Sequence, residues 1–382
     1  MKRFGFEIAD EEGMIAQAAA DVAARRLAAG AAERDRTGSF PVEEIAELGQ
    51  LGLLAMKVAP EHGGAGASNV GYVLAMQAIA AACASTAVVL ASSNLTAKVL
   101  ADSATPAQIE RWLRPYVRGE LGPASFALSE PAGGSDAAAI RTRARLVEDH
   151  WILDGEKAWS TGATHAGFHL VFARTDGEGK SGISAFLVPR GAPGLVVGKE
   201  EDKMGQRASG TATLAFDACR IPAGHLVGER GAGYGIALSA LGAGRVGIAA
   251  LSLGLGEAAF AAGRAYAKER TVFGQQLAGF QNTQFVLADS RTDLDAAWLL
   301  TLRAARALDD GERAGAETSM AKLFATEACG RVVDRMVQVH GGYGYSREYA
   351  VERLYRDARV TRIYEGTNEI QRLLVARDVL RD

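Results

Sequence analysis

The sequence predicts an α+β chain in three parts: helices, then strands, then helices again. Apolar residues recur at helical spacing over the first 120 residues or so, and again beyond about residue 229. Between them, from about 121 to 228, short alternating segments are punctuated by Gly, Asp and Pro, as antiparallel strands require. The regular strand-helix alternation of a doubly wound parallel sheet is missing. Expected domains are therefore 1–120, 121–228 and 229–382.

In the first part, Val22, Ala23, Leu27 and Ala28 share one face of a helical stretch from Glu11 to Ala31. No Asp, Glu, Lys or Arg occurs between Gly63 and Ala97, a run long enough to span a bilayer. It is mostly alanine, is interrupted by Gln77, Ser85, Thr86 and Asn94, and lacks basic flanks, so it reads as a buried core helix. Thr105-Pro106-Ala107-Gln108 combines a capping Thr, a proline at the first helical position and a Gln three residues on. Strands are expected over Thr142–Trp151, Phe168–Arg174, Ile183–Pro189 and Thr211–Phe216. Helices are expected over Ile248–Arg270, Gln281–Arg306 and Thr318–Val339.

Composition narrows the function. With 48% apolar and 23% charged residues the 382-residue chain is an ordinary globular one, and its net charge of -3 offers no bulk attraction to nucleic acid. Cys83, Cys219 and Cys329 are widely spaced, which encodes neither a disulfide framework nor a zinc site. The histidines show no metal-ligand spacing. The start, Met1 to Glu7, meets acids before any apolar run and is no signal peptide. A cytoplasmic protein with no metal, nucleic-acid or membrane partner is the expectation.

Gly242-Ala243-Gly244-Arg245-Val246-Gly247 is a literal GxGxxG, but no second strand follows to carry the acid a dinucleotide site needs. These glycines read as close-packing positions within a helix. More informative is Phe126-Ala127-Leu128-Ser129-Glu130-Pro131-Ala132-Gly133-Gly134-Ser135-Asp136, where a strand runs into a loop whose Gly-Gly pair frees the backbone to approach a bound group, although taken alone it reads as a plain Pro-Gly loop with a Ser-Asp helix cap. In Trp159-Ser160-Thr161 an aromatic face and two hydroxyls suit a flat ring ligand, the alternative being a core Trp on a hairpin. Lys268-Glu269-Arg270-Thr271-Val272-Phe273-Gly274 ends a helix with a guanidinium able to pair with phosphate. Further on stand the glycine-rich turn Gln338-Val339-His340-Gly341-Gly342 and the acidic turn Tyr364-Glu365-Gly366-Thr367-Asn368-Glu369-Ile370-Gln371.

These segments, with Lys203-Met204-Gly205, occur in the order and spacing of the acyl-CoA dehydrogenase family, which the chain resembles over nearly its whole length. The resemblance implies FAD as cofactor, an N-terminal helical domain, a middle antiparallel β-barrel domain and a C-terminal four-helix-bundle domain. It further implies that Phe126, Leu128, Ser129, Trp159 and Thr161 contact the flavin. Arg270, Phe273, Gln281, Gln338, Gly341, Gly342, Thr367 and Glu369 would hold the pyrophosphate and adenine end, in part from a neighbouring subunit of a homotetramer. Ser135, Gly242, Arg245, Tyr364 and Gly366 would border the acyl-CoA.

Glu365 matches the catalytic base. A thioester α-proton is weakly acidic, so a carboxylate strengthened by burial suits its removal. Some members carry the base where this chain has Gly244, and the run from Gly244 to Ala249 most resembles short-chain and branched short-chain members. The implied reaction is α,β-dehydrogenation of such an acyl-CoA to trans-2-enoyl-CoA, with an electron-transferring flavoprotein as acceptor. Rival readings are an acyl-CoA oxidase, which would keep that glutamate, a flavin monooxygenase, which generally would not, and a non-catalytic flavin-bearing binding protein.

Overall fold

A computed structural model of the chain describes residues 2–3 and 6–381, so the expected domain ends at Met1 and Asp382 lie outside it. Helix α1 (Asp10–Val22) passes directly into a turn of π-helix, Ala23–Leu27. The uncharged run is two helices, α2 (Asn69–Ala82) and α3 (Ala84–Ser103), broken where Cys83 turns extended (φ −155°, ψ 104°). Ser68 caps α2 by accepting from Gly71 N at 3.0 Å. Asp309, far along the chain, caps it a second time, accepting from Asn69 N (2.6 Å) and Val70 N (3.2 Å).

Helix α3 is buried around nearly its whole circumference, which its lack of a polar stripe requires. Its buried Asn94 donates to Leu53 O (2.9 Å) and Leu90 O (3.0 Å) and accepts from Met56 N (2.8 Å), tying the segment before α2 to the core. Helix α3 and the helix Gly233–Glu269 are long and apolar enough to cross a membrane. Of their most apolar stretches, however, 83% and 61% are buried inside the fold.

The middle of the chain supplies β1 (Ala124–Ala127), β2 (Arg143–Val147), β3 (His150–Ser160), β4 (Phe168–Arg174), β5 (Ile183–Pro189), β6 (Leu195–Glu200), β7 (Ala212–Pro222) and β8 (Leu226–Val227). They form one sheet in the order β8-β5-β4-β2-β3-β7-β6, with β1 alongside β4. The pairings thus run as an open path, and β1 and β2 meet β4 in parallel, so the sheet is not uniformly antiparallel. The single strand expected over Thr142–Trp151 is instead a tight hairpin that turns at Glu148 and Asp149, Glu148 adopting φ +53°. A two-residue turn of acids leaves the alternation on either side intact, so periodicity alone does not reveal it.

Strand β4 explains how sheet and helices join. Phe168, Leu170 and Phe172 pack into the large helical core, while Val171 and Ala173 point into a second core enclosed by the sheet with Trp151, Phe186 and Leu214. Both faces are buried, hence the near-continuous apolar run.

The last third contains α4 (Gly233–Glu269), α5 (Gln281–Asp309), α6 (Gly315–His340), α7 (Ala350–Arg359) and α8 (Asn368–Val379). Helix α4 begins well before Ile248, inside a glycine cluster that propensity alone would make a loop. Packing overrides propensity there. A Cβ at Gly233 would lie 2.6 Å from Ser184 C, and one at Gly247 would collide with the Tyr72 hydroxyl. Gly242, by contrast, has nothing within 4 Å of such a Cβ, so close packing does not account for it.

Candidate active site

Glu365 and Gly366 form a turn in which both residues are left-handed, at φ +50° and +88°. Thr367 then caps α8, its Oγ1 accepting from Ile370 N at 3.4 Å. The turn is held from below. Gln371 Nε2 donates to Gly366 O (2.9 Å) and Glu365 O (3.4 Å), and Lys322 Nζ donates to Gly366 O (2.9 Å) and Asn368 Oδ1 (2.9 Å). A Cβ on Gly366 would lie 2.7 Å from Gln371 Nε2, so a side chain there would spread this clasp.

The result is an unusual carboxyl group. Glu365 as a whole keeps some accessible surface, but its Oε2 is sealed and has no hydrogen-bond partner among the described residues. Burial pushes its pKa up to about 7, against the opposing pull of Lys322, Arg245 and Lys57. Each of these cations is itself perturbed by burial. Lys322 and Lys57 are both brought down to about 8, and Arg245 is lowered from its usual range. Arg245 Nη1 donates to Ser319 Oγ at 3.2 Å, while its Nε is buried without a partner. Lys57 Nζ donates to Asn69 Oδ1 (3.3 Å) and stands 4.8 Å from the centre of the Tyr72 ring. Tyr364 OH accepts from Gln206 Nε2 at 3.2 Å, and Gln206 N donates to buried Asp357.

A second group of residues surrounds Trp159. Between the pairs Lys157–Leu214 and Ser160–Ala212, β3 carries one residue more than β7, which is a β-bulge. The bulge puts Trp159 at φ +61° and turns its indole outward, 63% exposed. Ala158 N donates to Ser129 O (2.9 Å), bringing the Leu128-Ser129 loop beside it. Beneath that loop lies a buried ion pair, Lys157 Nζ to Glu130 Oε1 at 2.7 Å. Lys157 also donates to Leu128 O (3.1 Å), and Glu130 accepts from the backbone N–H groups of Arg141 (2.6 Å) and Thr142 (2.9 Å). Phe126, on β1, packs against Phe172 with ring centres 4.9 Å apart, and Thr161 is half-buried in the turn after β3.

Helix α3 connects the two groups. Val89 Cγ1 lies 3.8 Å from where a Cβ on Gly162 would sit, and Leu95 Cδ1 lies 3.0 Å from the corresponding point on Gly244. Six residues along a helix amount to about 9 Å. The same Gly244 point is 2.9 Å from Glu365 Oε2. Gly162, which follows the Trp159–Thr161 turn, and Gly244, beside the Glu365 carboxylate, thus approach one helix at points six residues apart.

A third group forms a cleft lined by Tyr266, Arg270, Gln338, Gly341, Gly342 and Tyr343, among others. It shares no lining residue with the other two groups. The Arg270 guanidinium is 5.7 Å from the Tyr343 ring centre. Beside it Phe273, at φ +48°, is 97% exposed. Gln281, Glu369 and Ser135 are exposed as well, and Gly242 is half-buried on α4.

Of the residues singled out from the sequence, Glu365, Arg245, Tyr364 and Gly366 come together in the structure; Lys57, Tyr72, Leu95, Lys322 and Gln206, which join them, and Lys157 were not singled out. A signal existed for Lys322: it occupies the apolar face of α6 shared by Thr318, Ala325 and Cys329, where a charge is out of pattern. Among the described residues no group of His, Cys, Asp and Glu could hold a metal ion.

Residues 9–120, 125–219 and 231–380 match the acyl-CoA dehydrogenase N-terminal, middle and C-terminal domains. The chain belongs to the acyl-CoA dehydrogenase family. It is 45% identical to the mitochondrial short-chain specific acyl-CoA dehydrogenase of Mus musculus, over 98% of this chain and 91% of that one. Butyryl-CoA dehydrogenase from Megasphaera elsdenii superposes with a TM-score of 0.96 at 38% identity, covering 98% and 100% of the two chains. A glutaryl-CoA dehydrogenase from Mycobacterium smegmatis, solved in complex with FADH2, gives a TM-score of 0.93 at 28% identity, covering 98% and 96%.

Acyl-CoA dehydrogenases are FAD oxidoreductases. This chain's residues fit that cofactor: an outward indole on a bulge, a glycine-lined cleft with a guanidinium, and open space for a Cβ at both Gly341 and Gly342.

Proposed function

We propose that this enzyme dehydrogenates a short-chain acyl-CoA at Cα and Cβ to give a trans-2-enoyl-CoA, with Glu365 taking the α-proton. The observation that carries the proposal is the sealed, unpartnered Oε2 of Glu365, on a carboxyl group with a pKa of about 7. A base whose pKa lies near the working pH combines a usable ionised fraction with a strong pull on the proton. The left-handed turn presents it, and Gly244 keeps the opposite wall clear.

FAD, when bound, supplies the acceptor for the hydride leaving Cβ. Phe126, Leu128, Ser129, Trp159 and Thr161 would hold its ring. Arg270, Phe273, Gln281, Gln338, Gly341, Gly342, Thr367 and Glu369 would hold its pyrophosphate and adenine end, in part across a boundary between copies. The separation of the Arg270 cleft from the other two groups, and the exposed Phe273 beside it, support a homo-oligomer, which we take to be a tetramer. Ser135 would lie along the CoA arm, and Gly242, Arg245, Tyr364 and Gly366 beside the thioester.

Short chain length is supported by Leu95 and Tyr72, which close on α4 at Gly244 and Gly247, and by the short-chain relative. An electron-transferring flavoprotein is the proposed acceptor and the cytoplasm the proposed location. Anaerobic addition of acyl-CoAs of increasing length and branching tests the reading. Butyryl-CoA should bleach the flavin, and Glu365→Gln should keep yellow flavin and bind ligand without bleaching. Bleaching by that variant would move the base elsewhere, and rapid reoxidation with peroxide formation in air would make the enzyme an oxidase.

A further inference from the structure

Lys322 on α6 is completely buried, and a buried ammonium ordinarily sits against a carboxylate. Here its two hydrogen bonds go to neutral acceptors, Gly366 O and Asn368 Oδ1, each at 2.9 Å. Gly366 O does not depend on it, since it also accepts from Gln371 Nε2 (2.9 Å). A neutral donor would serve as the strut, while the charge of the lysine carries the full cost of burial.

We propose that Lys322 is the positioning residue of the Glu365 base: its ammonium clasps the left-handed Glu365–Gly366 turn and supplies an uncancelled positive charge to the carboxylate. Other groups act on the same carboxylate. Arg245 faces it from α4 and Lys57 from the segment before α2, with Tyr72 and Tyr364 as neutral phenols nearby. Lys322 in turn feels Arg245, Glu327 and Glu369. Of the three cations, Lys322 acts most strongly in holding the Glu365 pKa down against burial.

The kinetic consequence rests on the dehydrogenase reading; the electrostatic one does not. The test uses the flavin-loaded enzyme as Lys322→Met and Lys322→Gln. Ionisation of Glu365 is read without substrate from its infrared carboxyl band, assigned by difference with Glu365→Gln, and kcat/KM for butyryl-CoA is followed over the same pH range. Both variants should raise the apparent pKa of Glu365 by about one pH unit, an ordinary effect for loss of a nearby opposite charge. At pH 7 that lowers kcat/KM about fivefold, with flavin content unchanged.

A titration that superposes on the parent's in either variant would overturn the proposal, because both lose the charge, Met also losing the donor and Gln keeping one on a shorter side chain. Failure of both variants to fold would also overturn it, assigning Lys322 to the fold alone. If Glu365→Gln still bleaches with acyl-CoA, the base assignment fails while the infrared result stands on its own.

Discussion

Gly244 and Glu365 compete for one space: a Cβ on Gly244 would lie 2.9 Å from Glu365 Oε2 and 3.0 Å from Leu95 Cδ1. The first is closer than a real Cβ comes and the second is tight, and both neighbours are ends of flexible side chains. A side chain at residue 244 would therefore make the Glu365 carboxylate or Leu95 shift.

Gly244→Ala should accordingly displace the carboxylate while leaving the helix intact, alanine being the better helix former. The rate of anaerobic flavin bleaching should fall about 100-fold, the usual scale for a reacting group moved by about 1 Å. Stopped-flow absorbance measures it, with thermal melting as the control for folding. A bleaching rate equal to the parent's would show that the base tolerates the contact.

The raised pKa of Glu365 has a sign that can be checked in stability as well as rate. Because the folded pKa is about 7 and the ordinary one 4.5, the folded state holds this proton where the unfolded state has released it. The group's contribution to stability is thus full at low pH and declines as pH rises through that window. Glu365→Gln removes the penalty, so its melting temperature should exceed the parent's at pH 8 and approach it at pH 4.5. Activity should move the opposite way in the parent, kcat/KM rising with pH with its midpoint at about 7 before levelling off, since the ionised form is the base.

Lys157 and Glu130 form a fully enclosed ion pair under the loop that carries Leu128 and Ser129. Lys157→Met leaves Glu130 charged and buried with only backbone donors, and should cost about 3 kcal/mol in urea unfolding. Flavin affinity should weaken with it as the loop loosens. Lys157→Met with Glu130→Gln should recover part of the stability; a double variant no better than the single one would mean the pair's charge is irrelevant.

Phe273 offers the clearest test of assembly. An aromatic 97% exposed at a left-handed turn beside the Arg270 cleft suits burial by a second copy. Phe273→Asp should shift sedimentation velocity toward smaller particles and reduce flavin retention together. An unchanged particle that keeps its flavin would mean that the cleft is complete within one chain.

Much of this was legible in the residues themselves. The helix-strand-helix order, the Thr105 cap with its capping box, and the acidic turn at Glu365 all follow from patterns a few residues long. So does the reading of Gly244 and Gly247 as packing positions. The hairpin at Glu148, the early start of α4 at Gly233, and the bulge that turns Trp159 outward were not legible. The start of α4 and the bulge depend on partners distant in the chain, and the hairpin on a two-residue turn of acids that leaves the alternation on either side unbroken.

Local sequence therefore determined which side chains were available: a carboxylate in a turn before the last helix, an aromatic with two hydroxyls at a strand end, and a guanidinium at a helix end. Only the tertiary structure decided what the carboxylate is. Its elevated pKa comes from burial against Gly244 and Leu95 and is moderated by Lys57, Arg245 and Lys322, residues scattered over most of the chain. Desolvation and Coulomb interactions depend on distance in space, which no local pattern records.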